Sequence, residues 1–304
     1  MPPRFAMPSQ APPALHNVVV YVTPDKSEAG KIWRARLDGS HRKQLGSGFY
    51  PALSPDGRWI AFGRDAYVLV MPAAGGAAKR AYISTGGLYL TPTWAPDSRH
   101  LAIGTRRGCV LLGLSSRVTH VLTSDPGCTP SFSPDSRTVV YDAHGDIYAA
   151  PTGGGAAVRL TYGHSSFSPV WGKSGIAFAF SREYMSFDLR LLDVTTHRVR
   201  RLTRSWLEFS PAFFSADGKE LLAYQVPPRE EFDDRVWAFD VAAGTKRFIT
   251  GGAPAGLSAD GKTALVEAGT YGSTTCYGIE TVPLAGGKPH LVVRHACLAS
   301  WNAR

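Results

Sequence analysis

Short apolar runs bounded by turn residues recur along the chain, and one fourteen-residue pattern recurs with them. "YPALSPDGRWIAFG" (50–63) is followed by "TPTWAPDSRHLAIG" (91–104) and "TPSFSPDSRTVVYD" (129–142). Aligning on the apolar residue two places after the usual proline gives Leu53, Trp94, Phe132, Trp171, Phe213, Leu257 and Trp301, spaced 38 to 44 residues apart. That period is the length of one four-stranded propeller blade. Each unit reads as a short strand, a turn such as "SPDGR" or "SADGK", an apolar strand such as "WIAFG" or "ELLAYQV", and two further strands such as "DIYAAPT" and "AAVRLTYG". Short strands separated by turn residues in this way form an antiparallel meander.

The two ends of the chain complete one another. "VVVYV" (18–22), "KIWRARLDG" (31–39) and "HRKQL" (41–45) read as second, third and fourth strands without a first, and "CLASW" (297–301) reads as a first strand without the rest. The expected fold is therefore all-β: a single propeller of seven four-stranded antiparallel blades, closed by N- and C-terminal strands that share one blade. Closure removes the exposed sheet edges of an open array. Six blades is the alternative if one unit is irregular. Residues 1–16, with Pro2, Pro3, Pro8, Pro12 and Pro13, read as a flexible tail or linker, and residues 17–304 as the propeller.

Asp56, Asp97, Asp135, Asp217 and Asp260 share one turn position, where a carboxylate can accept backbone N–H groups. Gly57, Gly218 and Gly261 follow where positive φ is expected, and the fourth unit carries Ser174 instead of the aspartate. A catalytic acid is needed once or twice rather than in every unit, so these aspartates read as structural.

Composition narrows the function classes. The 304 residues are 44% hydrophobic and 19% charged, with 32 Gly and 22 Pro, as in an ordinary turn-rich globular chain. Apolar runs are strand-sized and none reaches the roughly 18 residues of a membrane helix. The first residues lack the basic and apolar regions of a signal peptide. A net charge of +9 favours an acidic partner. The basic residues are scattered, without a basic helix or an RNA-binding signature, so no nucleic-acid partner is expected.

The "P-x-W/F-S-P-D-G/S-R/K…IAF…IY" unit resembles the TolB-type propeller repeat, found also in the propeller domains of prolyl-oligopeptidase-like enzymes. The likeness covers about residues 17–304 and recurs at least five times. It implies a propeller fold. The family spans periplasmic scaffold proteins, peptidase gating domains and some polysaccharide lyases, so fold alone selects no activity. The chain departs from TolB itself, which looks six-bladed with a separate N-terminal domain.

Cys109, Cys128, Cys276 and Cys297 can pair in three ways. The repeat frame favours Cys109 with Cys128 and Cys276 with Cys297, because each pair joins the entry to a third strand with the loop into the next blade. Disulfides point to a periplasmic or extracellular protein whose leader has been removed; free cysteines would point to the cytoplasm. A zinc site is the rival reading, without a C-x-x-C pair to support it.

No G-x-S-x-G elbow, no H-E-x-x-H and no calcium loop occurs, and "PAAGGAAKR" and "PTGGGAAVRL" read as strand turns rather than phosphate loops. The loops between second and third strands, together with those between blades, gather charged and aromatic residues on one face. Its binding candidates are Arg64, Asp65, Arg106, Arg107, Arg182, Glu183, Trp206, Glu208, Glu230, Glu231 and Asp233. His144, Asp146 and His164 form a metal-capable set on the same face. No cofactor is expected, with a bound cation as the exception this set would allow. The expectation is a monomeric, non-catalytic exported scaffold that binds a protein partner. The alternative is a carbohydrate-active or small-ligand propeller with a polar or metal site near the central channel, for which a glycan would be the partner.

Overall fold

The computed structural model describes residues 4–25, 29–84, 90–183, 186–204, 208–226, 234–258, 260–268 and 276–301. Its strands form seven four-stranded antiparallel sheets. In chain order, blades I to VI span residues 49–83, 91–123, 131–159, 166–201, 208–251 and 253–294. Blade VII joins Cys297–Trp301 to Val18–Thr23, Lys31–Arg36 and Lys43–Ser47. The closing strand pairs antiparallel, with Val19 opposite Trp301, Val20 opposite Ser300 and Val22 opposite Cys297. The seven-blade count and the shared closing blade both match the expectation from the repeat.

Seven hydrophobic clusters lie between the blades, each built from two neighbours. Second strands are buried on both faces, so adjacent residues serve opposite interfaces. Val20 packs toward blade I and Val19 toward blade VI. Val139 faces blade II while Val140 faces blade IV. Leu221 and Leu222 divide between blades IV and VI in the same way. Runs such as "VVVYV" and "WIAFG" are continuous rather than alternating for this reason.

The turn aspartates act as the repeat implied. Ser54 Oγ donates to Asp56 Oδ1 and accepts the N–H of Trp59, while Asp56 Oδ1 accepts the N–H of Arg58. Ser133–Asp135, Ser215–Asp217 and Ser258–Asp260 repeat that arrangement. Gly57, at φ 69°, occupies the left-handed position that follows; Ser98 and Ser136 take it in blades II and III. Those serines link blades instead. The N–H of Asp56 donates to Ser98 Oγ at 3.1 Å, and the N–H of Asp97 to Ser136 Oγ at 2.9 Å. Ser174, which stands in for the aspartate in blade IV, donates to the carbonyl of Gly218 in blade V at 2.7 Å.

The described part of the N-terminal segment differs from a flexible tail. Phe5 is buried, edge-on to Trp59 at 5.2 Å, within the cluster between blades I and II. The N–H of Leu15 donates to Gly57 O, and Arg58 donates to Pro12 O. Prolines remove backbone donors, but the apolar side chain of Phe5 and these few hydrogen bonds suffice to dock an extended segment.

Two disulfides are present, Cys109–Cys128 and Cys276–Cys297. The first ties the third strand of blade II to the connection into blade III. The second ties blade VI to the strand that closes the ring.

Two predictions follow from these connections. Replacing either pair by serine is expected to lower unfolding free energy by roughly 3 kcal/mol, as a loop of about twenty residues implies; denaturant titration measures it. Hydrogen bonds from Ser133 and from the N–H of Arg137 hold Asp135 below the ordinary carboxylate range, and similar bonds do so for Asp217 and Asp260. A depressed carboxylate stabilises the fold above its unfolded pKa of about 3.9, and that stabilisation is lost as pH falls through the lower folded value. The triple variant Asp135→Asn, Asp217→Asn, Asp260→Asn should therefore show a flatter acid limb in thermal melting below about pH 4.

Candidate binding face and channel

Blades I to III turn between their second and third strands through two residues each. These tight hairpins present exposed Asp65, Arg106, Arg107 and His144, with Arg64 half-buried beside Asp65. In blade II, Thr105 Oγ1 donates to Gly108 O at 2.9 Å and accepts the N–H of Arg107 at 3.0 Å, fixing the turn. Gly108 is required there: its φ is 107°, and a Cβ would lie 1.9 Å from the carbonyl oxygen of Thr123. The buried Cys109 of the Cys109–Cys128 bond follows directly, so a covalent tether anchors the arginine hairpin.

Trp206, Glu230, Glu231 and Asp233 lie outside the described residues. Of Arg182, Glu183 and Glu208 the structure describes the backbone, in strands Gly175–Glu183 and Glu208–Phe214.

His144, Asp146 and His164 do come together. His164 Nδ1 lies 2.8 Å from the carbonyl oxygen of His144 and 3.3 Å from Asp146 Oδ2. His144 instead faces Asp125, whose Oδ2 also accepts the His144 N–H. Asp146 is fully buried and already surrounded by protein donors. Arg159 reaches its Oδ2 at 2.5 Å, Thr161 Oγ1 donates to its Oδ1 at 3.1 Å, and the N–H of His164 approaches at 3.3 Å. Among the described residues, no group of three or more His, Cys, Asp or Glu is arranged to hold a metal ion.

The same clasp recurs in blade IV. Asp188 is buried against Arg201 at 3.0 Å, Arg201 Nε donates to Thr203 O, and Thr203 Oγ1 accepts the N–H of Leu189. The repeated "RLT" at 159–161 and 201–203, each thirteen residues after an aspartate for its arginine, was the available sequence signal. It marks Asp146 as part of a blade-internal pair.

A second set of acids holds the inner wall. Asp142 accepts the N–H and hydroxyl of Thr129 and the N–H of Ser168, and Glu267 accepts the N–H of Ala299 at 2.8 Å. Both clamp bulged inner strands of the following blade, where Ser168 and Leu298 have φ of 51° and 49°. Burial pushes both carboxyls above the ordinary range, against the lowering effect of these bonds. Beside Glu267 the inner strands of blades I, II, V, VI and VII enclose an open channel of about 510 Å³.

With this geometry in place, comparison with known proteins decides the family. Residues 9–246 match the model of the TolB beta propeller domain. The chain belongs to the TolB beta propeller family. No curated protein matches it significantly. TolB from Acinetobacter baumannii is a structural neighbour at 19% identity and TM-score 0.56, with 96% of this chain and 68% of that one covered. The propeller domain of the Trilobed protease from Pyrococcus furiosus aligns with 16% identity and TM-score 0.69, over 96% and 97%. An oligogalacturonate lyase in complex with manganese aligns with 13% identity and TM-score 0.60, over 93% and 87%. At these identities the likeness is one of fold. The Pyrococcus domain is described as having an open velcro topology, whereas the present member of the TolB beta propeller family closes its ring through Cys297–Trp301.

The clasp can be tested directly. Asp146→Asn leaves Arg159 without its buried counter-charge and should cost roughly 3 kcal/mol of unfolding free energy in denaturant titration. Asp188→Asn removes the buried counter-charge of Arg201 in the same way and should also lower the unfolding free energy.

Proposed function

We propose that the protein is a non-catalytic, exported propeller that binds a protein partner through its loop-bearing face, in the cell envelope or outside the cell. The observation that carries this reading is the arginine hairpin of blade II. Arg106 and Arg107 stand exposed on a two-residue turn fixed by Thr105 and anchored by the Cys109–Cys128 bond. Charge presented on a rigid support loses little conformational entropy on binding, which is what a recognition surface needs. The net charge of +9 fits an acidic partner and favours fast electrostatic capture.

Family membership and the disulfides support the location. Disulfides persist in oxidising compartments, and both bonds here brace the loop-bearing side of the ring. No helix among the described residues is long and apolar enough to cross a membrane.

Affinity capture from an envelope or extracellular fraction tests the proposal, comparing the native protein with Arg106→Glu, Arg107→Glu. A protein partner retained by the native form and lost at least about tenfold by the variant is the expected result. Equal recovery by both forms would move the binding surface elsewhere.

A further inference from the structure

The central channel offers a chemistry that the charged face does not use. Its wall combines Tyr50, Trp94, Phe213 and Trp301 with one side-chain carboxyl, that of Glu267. No Lys, Arg or His lines it among the described residues, in a protein carrying a net charge of +9. A volume of about 510 Å³ lies within the usual range for a small-ligand site.

The wall is held in place. Trp94 Nε1 donates to Ala52 O at 2.9 Å, linking the inner strands of blades I and II, and the N–H of Leu53 donates to Ser300 Oγ at 3.0 Å, linking blades I and VII. Glu267 is positioned by the N–H of Ala299. Trp301 also carries a buried indole N–H with no acceptor among the described residues.

Aromatic faces attract cations through their quadrupole, most strongly where water is excluded, and a carboxylate supplies the counter-charge. A neutral apolar ligand would leave that carboxyl with backbone N–H partners alone, such as that of Ala299. An anion would meet Glu267, which among the described lining residues is the one charged side chain and has the same sign. We propose that the channel binds a small ligand carrying a protonated amine on an apolar body, with Glu267 as counter-ion and the aromatic side chains as its walls. This site is separate from the protein-binding face, and neither reading depends on the other.

The test uses the intact, disulfide-bonded protein. Calorimetric titration with benzylamine, phenethylamine, the neutral analogue benzyl alcohol and the peptide acetyl-Gly-Lys-Gly-amide reads the affinity of each. The expected result is that an amine binds at least about tenfold more tightly than benzyl alcohol and that Glu267→Gln removes this preference. Binding of the lysine peptide in place of the free amines would support the same site and assign its amine to a polypeptide. Equal affinity for amine and alcohol, an unchanged preference in Glu267→Gln, or no amine binding at millimolar concentration would overturn the proposal. Since Glu267 also clamps the closing strand, the indole N–H resonances of the native protein provide a measurement free of mutation. Amine-specific shifts at Trp94 and Trp301 are expected, and their absence overturns the assignment.

Discussion

Packing between blades is the interaction on which the rest of the structure depends. No single four-stranded sheet here could bury its two apolar faces, because each hydrophobic cluster draws residues from two neighbouring blades. An open stack would leave one face of the first blade and one of the last in water. Pairing Cys297–Trp301 with Val18–Thr23 removes those faces, and Val19 and Val20 of one strand then complete the interfaces with blades VI and I. The Cys276–Cys297 bond adds a covalent constraint at the point where the ring would open.

Polar groups are distributed around this apolar ring according to what each layer lacks. Turns on one face satisfy their own donors through serine and aspartate, and serine hydroxyls carry the connection from blade to blade. Within blades III and IV, an aspartate, an arginine and a threonine close the gap between third and fourth strands. At the inner wall, Asp142 and Glu267 hold bulged strands of their neighbours. Asp142 and Asp146 are tolerated in burial because several donors converge on each. Scaffold and candidate site consequently overlap at Glu267, where a group that supports the ring also lines the open channel.

Much of the fold was legible because repetition states a physical requirement several times. The left-handed turn position is written as Gly57, Gly218 and Gly261, and as Ser98 and Ser136 where a hydroxyl takes a second task. Cysteine pairing was legible for a similar reason, since both pairs occupy one frame of the repeat. The clasp was less visible. Its signal, "RLT" after an upstream aspartate, occurs in two blades only, and Asp146 looked like a metal ligand because His144 and His164 flank it in sequence and space. The docking of Phe5 was hidden by the surrounding prolines, which suggest an unpaired tail when read locally.

The sequence by itself determined the blade period and the order of strands and favoured both the closure of the ring and the pairing of the cysteines that the structure shows, because each follows from local patterning repeated at a fixed interval. Only the tertiary structure decided which carboxylates are already occupied and which line open space. Asp146 faces Arg159 across two strands, and Glu267 reaches the backbone of the next blade, contacts that no local pattern encodes. The channel is likewise a property of the closed ring, since its wall draws residues from five blades and exists only when the first and last strands meet.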